Sequence, residues 1–198
     1  MSKRSDRPIY LASRSPRRRE LLAQIGVKFE VIEVHVDEAV VAGESARDHV
    51  ERLARAKAEA GWRRMREGKL PEAPVLGVDT TVALDGRILG KPADDREAAE
   101  MLAELSGRLH EVLTALALKS GSRLESAVSV SEVRIKTLSK EEIARYVATG
   151  ECEDKAGAYG IQGHAARFVA ELRGSFSGVV GLPLYETAQL LDRIGSPA

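Results

Sequence analysis

Apolar residues alternate with small or polar residues along this chain in a pattern that predicts a series of short strands. The clearest strand covers residues 75–84, VLGVDTTVAL, and an Asp85-Gly86 turn leads from it into a short partner strand over 87–89. Weaker patterns of the same kind predict the remaining strands, over 9–11, 28–34, 108–118, 124–138 and 167–172.

Apolar residues three and four positions apart predict helices between these strands. The first helix begins at Pro16, with Ser15 as its N-cap, and ends at Gly26. The other helices are predicted over 45–66, near 98–105, near 139–150 and from 183 onwards. This alternation of helices with paired strands is typical of an α/β fold, in which helices flank a mixed β-sheet.

Length and composition limit the possible function classes. The 198 residues fit a single domain, 1–198, with two lobes around a cleft, and residues 1–7 are expected to be a flexible tail. Basic and acidic residues both number 30, whereas a dedicated nucleic-acid-binding domain usually carries a basic excess. The single cysteine, Cys152, excludes an internal disulfide. Because neither a secretory signal nor a membrane-spanning stretch is evident, we expect a cytoplasmic protein without a membrane partner.

The segment SRSPRRRE, residues 13–20, combines a polar turn with a predicted helix N-terminus. Backbone N–H groups are unpaired at such a terminus and attract anions. Arg17 and Arg18 lie in the first helical turn, where a cation opposes the helix dipole unless an anion is bound nearby. We interpret this pair as phosphate ligands. The alternative is a solvated basic helix start, which is the better interpretation for Arg19.

A carboxylate, that of Asp79, lies in the middle of the most apolar predicted strand. Alternation places it on a face of small or polar residues with Gly77 and Thr81, opposite Val78 and Val82. A lone aspartate in a strand is more often an edge or surface residue, but the apolar flanks favour a position beside a cleft. There it could hold Mg²⁺ or accept a proton from an attacking water.

Two lysines and a glycine-rich segment are further candidates. Lys57 continues the apolar stripe of its helix, which by itself indicates a side chain snorkelling at the edge of that stripe. Lys91 precedes a proline and by itself is an ordinary charged loop residue. In DKAGAYGIQG, residues 154–163, the glycines permit close approach to a ligand, and Gln162 has the donor and acceptor that recognise a base edge. A flexible loop is the alternative for this segment.

Four segments together resemble the Maf family of nucleotide pyrophosphatases: LASRSPRRRELL, GVDTTVALDGRILGKP, DKAGAYGIQG and GVVGLPLYET. The resemblance runs from about residue 9 to residue 194, and four motifs in this order and spacing are highly specific. It implies an α/β fold related to the inosine triphosphate pyrophosphatases, with a cleft between two lobes. It also implies hydrolysis between the α- and β-phosphates, a divalent cation (Mg²⁺ or Mn²⁺) as cofactor, and a homodimer.

The resemblance implies roles for individual residues. Asp79 matches the family's catalytic proton acceptor, and Glu38 matches an acidic position that helps to hold the metal together with Asp79. The family's positions for binding the triphosphate are matched by Ser13, Ser15, Arg17, Arg18, Lys57 and Lys91.

Three positions distinguish the substrates of the family's members. They read Arg, Thr and Gln in the subfamily that prefers dTTP and UTP, whereas the 7-methyl-GTP subfamily has a tryptophan in the first loop and a glutamate in the glycine-rich segment. With Arg17, Thr80 and Gln162, this chain resembles the pyrimidine type. Strict alternation places Thr80 on the face opposite Asp79, so either the strand bulges or ends there, or Thr80 acts indirectly.

The resemblance therefore implies a dTTP/UTP pyrophosphatase that sanitises the nucleotide pool. Two other functions are compatible with parts of the sequence. A regulatory nucleotide-binding protein, acting on cell division and septum formation, would bind the triphosphate without turnover; the retained Asp79 argues against it. A nucleic-acid-binding module would use residues 17–19 with Arg63, Arg64 and Arg66, and the zero net charge argues against it.

Overall fold

The computed structural model describes residues 8–195, although nothing is described of the side chains of residues 194 and 195. The predicted flexible tail, residues 1–7, lies outside the described residues. The strands are Ile9–Ala12 (β1), Phe29–Val31 (β2), Val75–Leu84 (β3), Arg87–Leu89 (β4), Leu109–Ser120 (β5), Arg123–Ile135 (β6) and Val169–Arg173 (β7). The α-helices are Pro16–Gln24 (α1), Ala46–Glu67 (α2), Asp95–Leu105 (α3), Lys140–Val147 (α4), Phe176–Val180 (α5) and Leu184–Gly195 (α6). Short 3₁₀ helices form at Ala156–Ala158 and His164–Phe168.

The strands form one mixed sheet in the order β2-β1-β3-β5-β6-β7, with β4 also paired to β3. β1 is parallel to both of its neighbours, and the other pairs are antiparallel. Small side chains of α2, among them Ala54 and Ala58, pack on one face of the sheet. Apolar side chains of the other helices contribute to the main core with Leu76, Val78 and Leu116 of the sheet. The predicted α/β architecture, with helices flanking a mixed sheet, is confirmed.

Serine side chains cap the starts of α2 and α4, whereas the predicted N-cap of α1, Ser15, makes no side-chain cap hydrogen bond. Ser45 accepts a hydrogen bond from the backbone N–H of Asp48 at the start of α2. Ser139 and Glu142 form a reciprocal capping box at the start of α4. Gly26 follows α1 with a φ of 71°, a left-handed conformation that glycine adopts without a steric penalty.

The alternation predicted for β3 determines how closely α2 approaches the sheet. Gly77 and Asp79 lie on the face towards α2, and Val78 and Val82 lie in the main core. A Cβ at Gly77 would collide with the backbone of α2 at residues 54–58. The missing side chain thus lets α2 pass directly over β3, which brings Lys57 within reach of Asp79.

The edge of β3 is open over part of its length. β1 pairs with residues 75–77 of β3, and β4 pairs with residues 82–84. Between these pairings, residues 78–81 have β5 on one side and no described strand on the other. Side chains from both faces of β3 can therefore border one cavity at this gap.

Several local predictions differ from the structure, and β6 and β7 also have bounds a few residues from those predicted. β2 is shorter than the predicted 28–34 because β1 has only four residues to pair with it. The strands predicted over 108–118 and 124–138 leave residues 119–122 between them, but β5 extends to Ser120 and β6 begins at Arg123, so that only a two-residue turn connects them. α5 was not predicted at all; a Ser175 cap bonded to Gly178 N–H stabilises this five-residue helix. None of the helices described within residues 8–195 is both long enough and apolar enough to cross a membrane.

Candidate functional site

A cleft of about 1090 Å³ lies at the gap in the edge of β3. The β1–α1 turn, α2, the segment before it, the loop after β4 and the glycine-rich segment all contribute to its walls. All of the candidate catalytic, phosphate-binding, metal-binding and specificity residues from the sequence analysis line this cleft: Ser13, Ser15, Arg17, Arg18, Glu38, Lys57, Asp79, Thr80, Lys91 and Gln162. The fold therefore brings these distant residues to one place.

The N-terminus of α1 presents an anion-binding arrangement to the cleft. Ser15 makes no side-chain cap, and the first turn contains no acidic residue. The hydroxyl of Ser13 accepts hydrogen bonds from Ser15 N–H at 3.3 Å and from Arg18 Nη1 at 2.9 Å. Arg17 is half-buried, and its side chain makes no hydrogen bond or ion pair with another described residue. Unpaired N–H groups and a cation are thus available to a phosphate group.

Arg18 is held within the wall of the cleft. Its Nε donates to the carbonyl of Gly181 at 2.9 Å, and its Nη2 donates to Thr80 Oγ1 at 3.1 Å. Burial lowers the pKa of Arg18, and the charge of Asp79 opposes that shift. With the bond to Ser13, three of the five N–H donors of Arg18 contact protein acceptors, which orients the guanidinium group.

The structure resolves the conflict over Thr80. The register of β3 against β5 is continuous from Val75 to Ala83, so β3 neither bulges nor ends at Thr80. The Thr80 hydroxyl lies on the opposite face from Asp79 and bonds to Arg18 instead. Of the two alternatives, the structure favours an indirect action of Thr80.

Two carboxylates share one ammonium group at the centre of the cleft. Lys57 Nζ lies 2.6 Å from Glu38 Oε1 and 2.7 Å from Asp79 Oδ1. Lys91 Nζ is more distant, 3.9 Å from Glu38 Oε2. Burial raises the pKa of Glu38, but the hydrogen bond and charge of Lys57, with smaller effects of Lys91 and Arg18, bring it below its ordinary value. Glu38 is therefore held as an anion.

This carboxylate pair suits a divalent cation that is also bound by its substrate. The described residues contain no cluster of three or more acidic, histidine or cysteine side chains that could hold a metal by themselves. Mg²⁺ commonly binds through one or two carboxylates together with substrate phosphates. Glu38 and Asp79 supply that oxygen donor set, with their second oxygens not engaged by Lys57.

Glu38 lies on a segment without regular structure, which a clamp of Arg52 and Glu44 fastens to α2. Arg52 donates to both Glu44 oxygens, at 2.6 and 2.8 Å, and to the carbonyl of Ala39 at 3.0 Å. The hydrogen bond from Arg52, against the opposing effect of burial, lowers the pKa of Glu44 to about 2. The clamp therefore fixes the backbone next to Glu38.

Glu151, three residues before the glycine-rich segment, holds that segment in place. Its carboxylate accepts hydrogen bonds from Tyr146 OH at 3.1 Å and from His164 N–H at 2.7 Å. The same carboxylate occupies the space that a Cβ at Gly163 would fill, which explains the glycine. Lys155 Nζ donates to the backbone carbonyl of Glu151. Gln162 is exposed on this framework and borders the cleft.

A buried histidine anchors the same segment to β5. His110 Nε2 lies 2.8 Å from the hydroxyl of Tyr159, and the two rings meet edge to face. His110 Nδ1 is buried without a hydrogen-bond partner among the described residues. Burial lowers the pKa of His110 to about 4, so the imidazole is neutral at physiological pH.

We expect the stability of the protein to fall when pH decreases from about 7 to about 5. The pKa of His110 is lowered to about 4 in the folded state, so the unfolded chain, with an ordinary pKa of about 6.5, takes up the proton first. The stabilising effect is complete above about pH 6.5 and is lost as the pH falls towards 4. It amounts to about 2 kcal/mol between pH 7 and 5.

Urea unfolding of wild type and a His110→Gln variant at both pH values measures this effect. The titration of carboxylates changes the free energy of unfolding equally in both proteins. The excess in the free energy of unfolding of wild type over the variant should therefore shrink at the lower pH. An advantage of the same size at both pH values would contradict the prediction.

Sequence reasoning overlooked several residues that line this cleft. Glu151, Lys155 and Tyr159 all border it. Burial first, and the charge of Arg17 second, lower the pKa of Lys155, so the positive field of the cleft extends to the glycine-rich segment. The signal for Lys155 and Tyr159 was present, since both lie inside the quoted motif DKAGAYGIQG.

Comparison with known proteins gives consistent matches over the whole described chain. The sequence profile of the Maf-like proteins matches residues 8–194. A dTTP/UTP pyrophosphatase of Aromatoleum aromaticum is 58% identical over 198 residues, with 96% of each chain covered. A dTTP/UTP pyrophosphatase of Chromobacterium violaceum is 52% identical over 191 residues, again with 96% of each chain covered. Among solved structures, a nucleoside-triphosphatase (dITP/XTP pyrophosphatase) of Mycobacterium abscessus matches with a TM-score of 0.45 at 15% identity, covering 97% of this chain and all of that one.

Proposed function

The chain belongs to the family of Maf-like proteins, and we propose that it hydrolyses dTTP and UTP to the monophosphate and pyrophosphate. One observation carries the proposal: a single cleft combines an uncapped helix N-terminus and several cations with the carboxylates of Glu38 and Asp79. Cations and free N–H groups suit a triphosphate, and the carboxylates suit a metal and an attacking water.

The triphosphate is proposed to lie between the β1–α1 turn and the two lysines. Ser13, Ser15 and the free N–H groups of α1 bind phosphate oxygens, and Arg17 adds a bidentate donor. Lys57 donates two of its three N–H groups to carboxylates, which leaves the third for a phosphate oxygen. Lys91, more than half exposed, can reach the outer phosphates.

Asp79 and Glu38 are proposed to act beside Lys57, to which both carboxylates are bonded. Asp79 orients a water and accepts its proton, while the water oxygen attacks the α-phosphorus. The bond from the α-phosphorus to the bridging oxygen breaks, and pyrophosphate leaves. Glu38 and Asp79 would hold Mg²⁺ or Mn²⁺, which when bound supplies positive charge to the phosphate oxygens.

Selection of a pyrimidine base is proposed to depend on Arg17, Thr80 and Gln162. The neutral amide of Gln162 can donate to and accept from a uracil or thymine edge, whereas a cationic methylated guanine would suit a carboxylate. The exposed position of Gln162 beside the cleft supports this role. We further propose a homodimer that acts in the cytoplasm to sanitise the nucleotide pool, without a nucleic-acid partner.

A panel of nucleotides in water labelled with heavy oxygen tests the proposed function. dTTP, UTP, CTP, dATP and 7-methyl-GTP are each incubated with Mg²⁺ or Mn²⁺, with a chelator as the control. We expect pyrophosphate chiefly from dTTP and UTP, with the label in the monophosphate because water attacks the α-phosphorus. Orthophosphate release, or label in pyrophosphate, would contradict the cleavage site; preference for 7-methyl-GTP would contradict only the specificity.

We expect an Arg52→Lys variant to lose activity through the position of Glu38. The single nitrogen of a lysine cannot take the separate positions of Arg52 Nε and Nη2 or bind Glu44 in a planar fork, so the segment around Glu38 loosens. kcat/KM for dTTP should fall about tenfold, and the Mn²⁺ concentration for half-maximal activity should rise several-fold. The matched control is Arg55→Lys on the same helix, where Arg55 pairs with Glu51 at 3.6 Å and with no other acidic side chain among the described residues. Equal metal requirements in both variants would refute the role of the clamp.

A further inference from the structure

A buried threonine in β5, Thr114, lies directly behind the substrate-selecting residue Thr80. The two residues face each other in the β3–β5 register, and their hydroxyl oxygens are 2.9 Å apart. Thr114 is completely buried among apolar neighbours of the same strand, such as Val112 and Leu116. A hydroxyl in such a place must be hydrogen-bonded, because an unpaired one would destabilise the fold.

The directions of the hydrogen bonds around Thr114 follow from the chemistry of their partners. Thr114 Oγ1 lies 2.8 Å from the carbonyl of Gly178, which can only accept, so the single proton of Thr114 is donated there. Thr80 must then donate its proton to Thr114. Arg18 can only donate, so the lone pair of Thr80 accepts from Arg18 Nη2. The chain therefore runs in one direction, from Arg18 through both hydroxyls to α5.

Thr114 supports Arg18 by two routes at once. It fixes the hydroxyl of Thr80 so that an oxygen lone pair, and not the proton, faces the guanidinium group. It also holds α5 through the Gly178 carbonyl, and the carbonyl of Gly181 at the end of α5 accepts from Arg18 Nε at 2.9 Å. Arg18 in turn donates to Ser13 Oγ in the β1–α1 turn. The position of that turn is thus linked to a residue that does not line the cleft.

We propose that Thr114 is a positioning residue for the nucleotide site, which orients Arg18 and the β1–α1 turn through Thr80 and α5. This proposal concerns the same nucleotide site and rests on the proposed function. It also gives Thr80 a defined part in substrate selection: its proton is committed to Thr114, so towards the cleft it is an acceptor that acts by orienting Arg18.

Three variants and a double variant test the proposal. Thr114→Val keeps the shape and the β-propensity of the side chain but removes the hydroxyl, whereas Thr114→Ser keeps the hydroxyl. We expect Thr114→Val to lower kcat/KM for dTTP about tenfold, mainly through a higher KM, and Thr114→Ser to stay within about twofold of wild type. KM is informative because partial unfolding reduces the amount of active enzyme but does not change KM.

A double-variant cycle separates this chain of hydrogen bonds from a merely structural effect. Thr80→Val should lower kcat/KM about as much as Thr114→Val does. The double variant should have a kcat/KM no lower than that of the more impaired single variant, because both substitutions break the same series of hydrogen bonds. If the two losses multiplied, so that kcat/KM of the double variant fell about a hundredfold, the proposal would be overturned. An unchanged KM in Thr114→Val would also overturn it. If Thr114→Val does not fold, Thr114→Ala replaces it in the cycle and is judged by the same outcomes.

The two proposals fail in distinguishable ways. If wild type releases no pyrophosphate from any nucleotide, the proposed function is wrong, and the same variants are then compared by calorimetric binding of dTTP. A weaker affinity of Thr114→Val than of Thr114→Ser would still support the positioning role. Equal affinities would overturn it.

Discussion

We expect an Asp79→Asn variant to lose pyrophosphate release by about a thousandfold in kcat, the largest of the effects that we predict. Asparagine has the size of aspartate but carries no charge and cannot accept a proton from the attacking water. Asp79 is almost completely buried, 7% exposed, so no bulk water replaces its function easily. Steady-state kinetics with dTTP measure the change, and kcat should decrease far more than KM rises.

The matched control for this prediction is Asp85→Asn, the same substitution at the turn that ends β3. Asp85 is exposed and pairs with Arg108 at the surface, where an ion pair contributes little. Its φ of 50° is tolerated by asparagine. The control should retain nearly full kcat and a similar unfolding temperature. Turnover by Asp79→Asn above about a tenth of the wild-type rate would rule out the assigned role.

Local patterns predicted most of the fold because its elements are stabilised by local features. The alternation in β3 is strict because one face packs in the main core and the other lies under α2. The starts of α2 and α4 were predictable because Ser45 and Ser139 bond to backbone N–H groups of their own helices. Such contacts involve residues close in sequence, where spacing alone carries the information.

Elements that depend on distant partners were less predictable. β2 is short because β1 is short, a property that no pattern within 28–34 contains. α5 has five residues, too few for a helical period to be evident, and a hydrogen bond from Thr114 to Gly178 contributes to its position. The carbonyl of Gly181, directly after α5, nevertheless accepts a hydrogen bond from Arg18, and Val179 and Val180 of α5 line the cleft, so this missed helix belongs to the wall of the cleft.

The candidate site was predictable in parts for the same reason. The SRSPRRRE segment carries its own signal, because a helix start with cations and no acidic residue is locally unfavourable. Glu38 carries none: it lies on an irregular segment, and only the resemblance nominated it. By its own spacing Lys57 had the pattern of a snorkelling residue. Its contact with Asp79 depends on Gly77, twenty residues away, where the missing side chain lets α2 approach β3. Thr114 offered a weak signal, a single hydroxyl within an apolar strand.

We expect Lys57→Met to lower kcat/KM for dTTP by at least about a hundredfold, the second largest effect. Methionine retains the unbranched stem of lysine but removes the ammonium group that lies between Glu38 and Asp79. Two carboxylates then face each other without a shared cation, and the triphosphate loses a positive partner, so both binding and turnover decrease. Kinetics with dTTP, together with a thermal unfolding curve, measure the loss.

The metal requirement distinguishes the proposed role of Lys57 from a loss of fold. In wild type the ammonium group neutralises the negative charge of the same two carboxylates, although through other oxygens than those available to a divalent cation. Its removal should therefore lower the Mn²⁺ concentration for half-maximal activity while turnover falls. Lys119→Met is the matched control, because Lys119 is equally buried, 13% against 12% exposed, and pairs with Glu59 outside the cleft. The control should keep wild-type kinetics and metal requirement. A higher Mn²⁺ requirement in Lys57→Met would contradict this prediction. It would mean that Lys57 organises the carboxylate pair for the metal and does not compete with the metal for the negative charge of that pair.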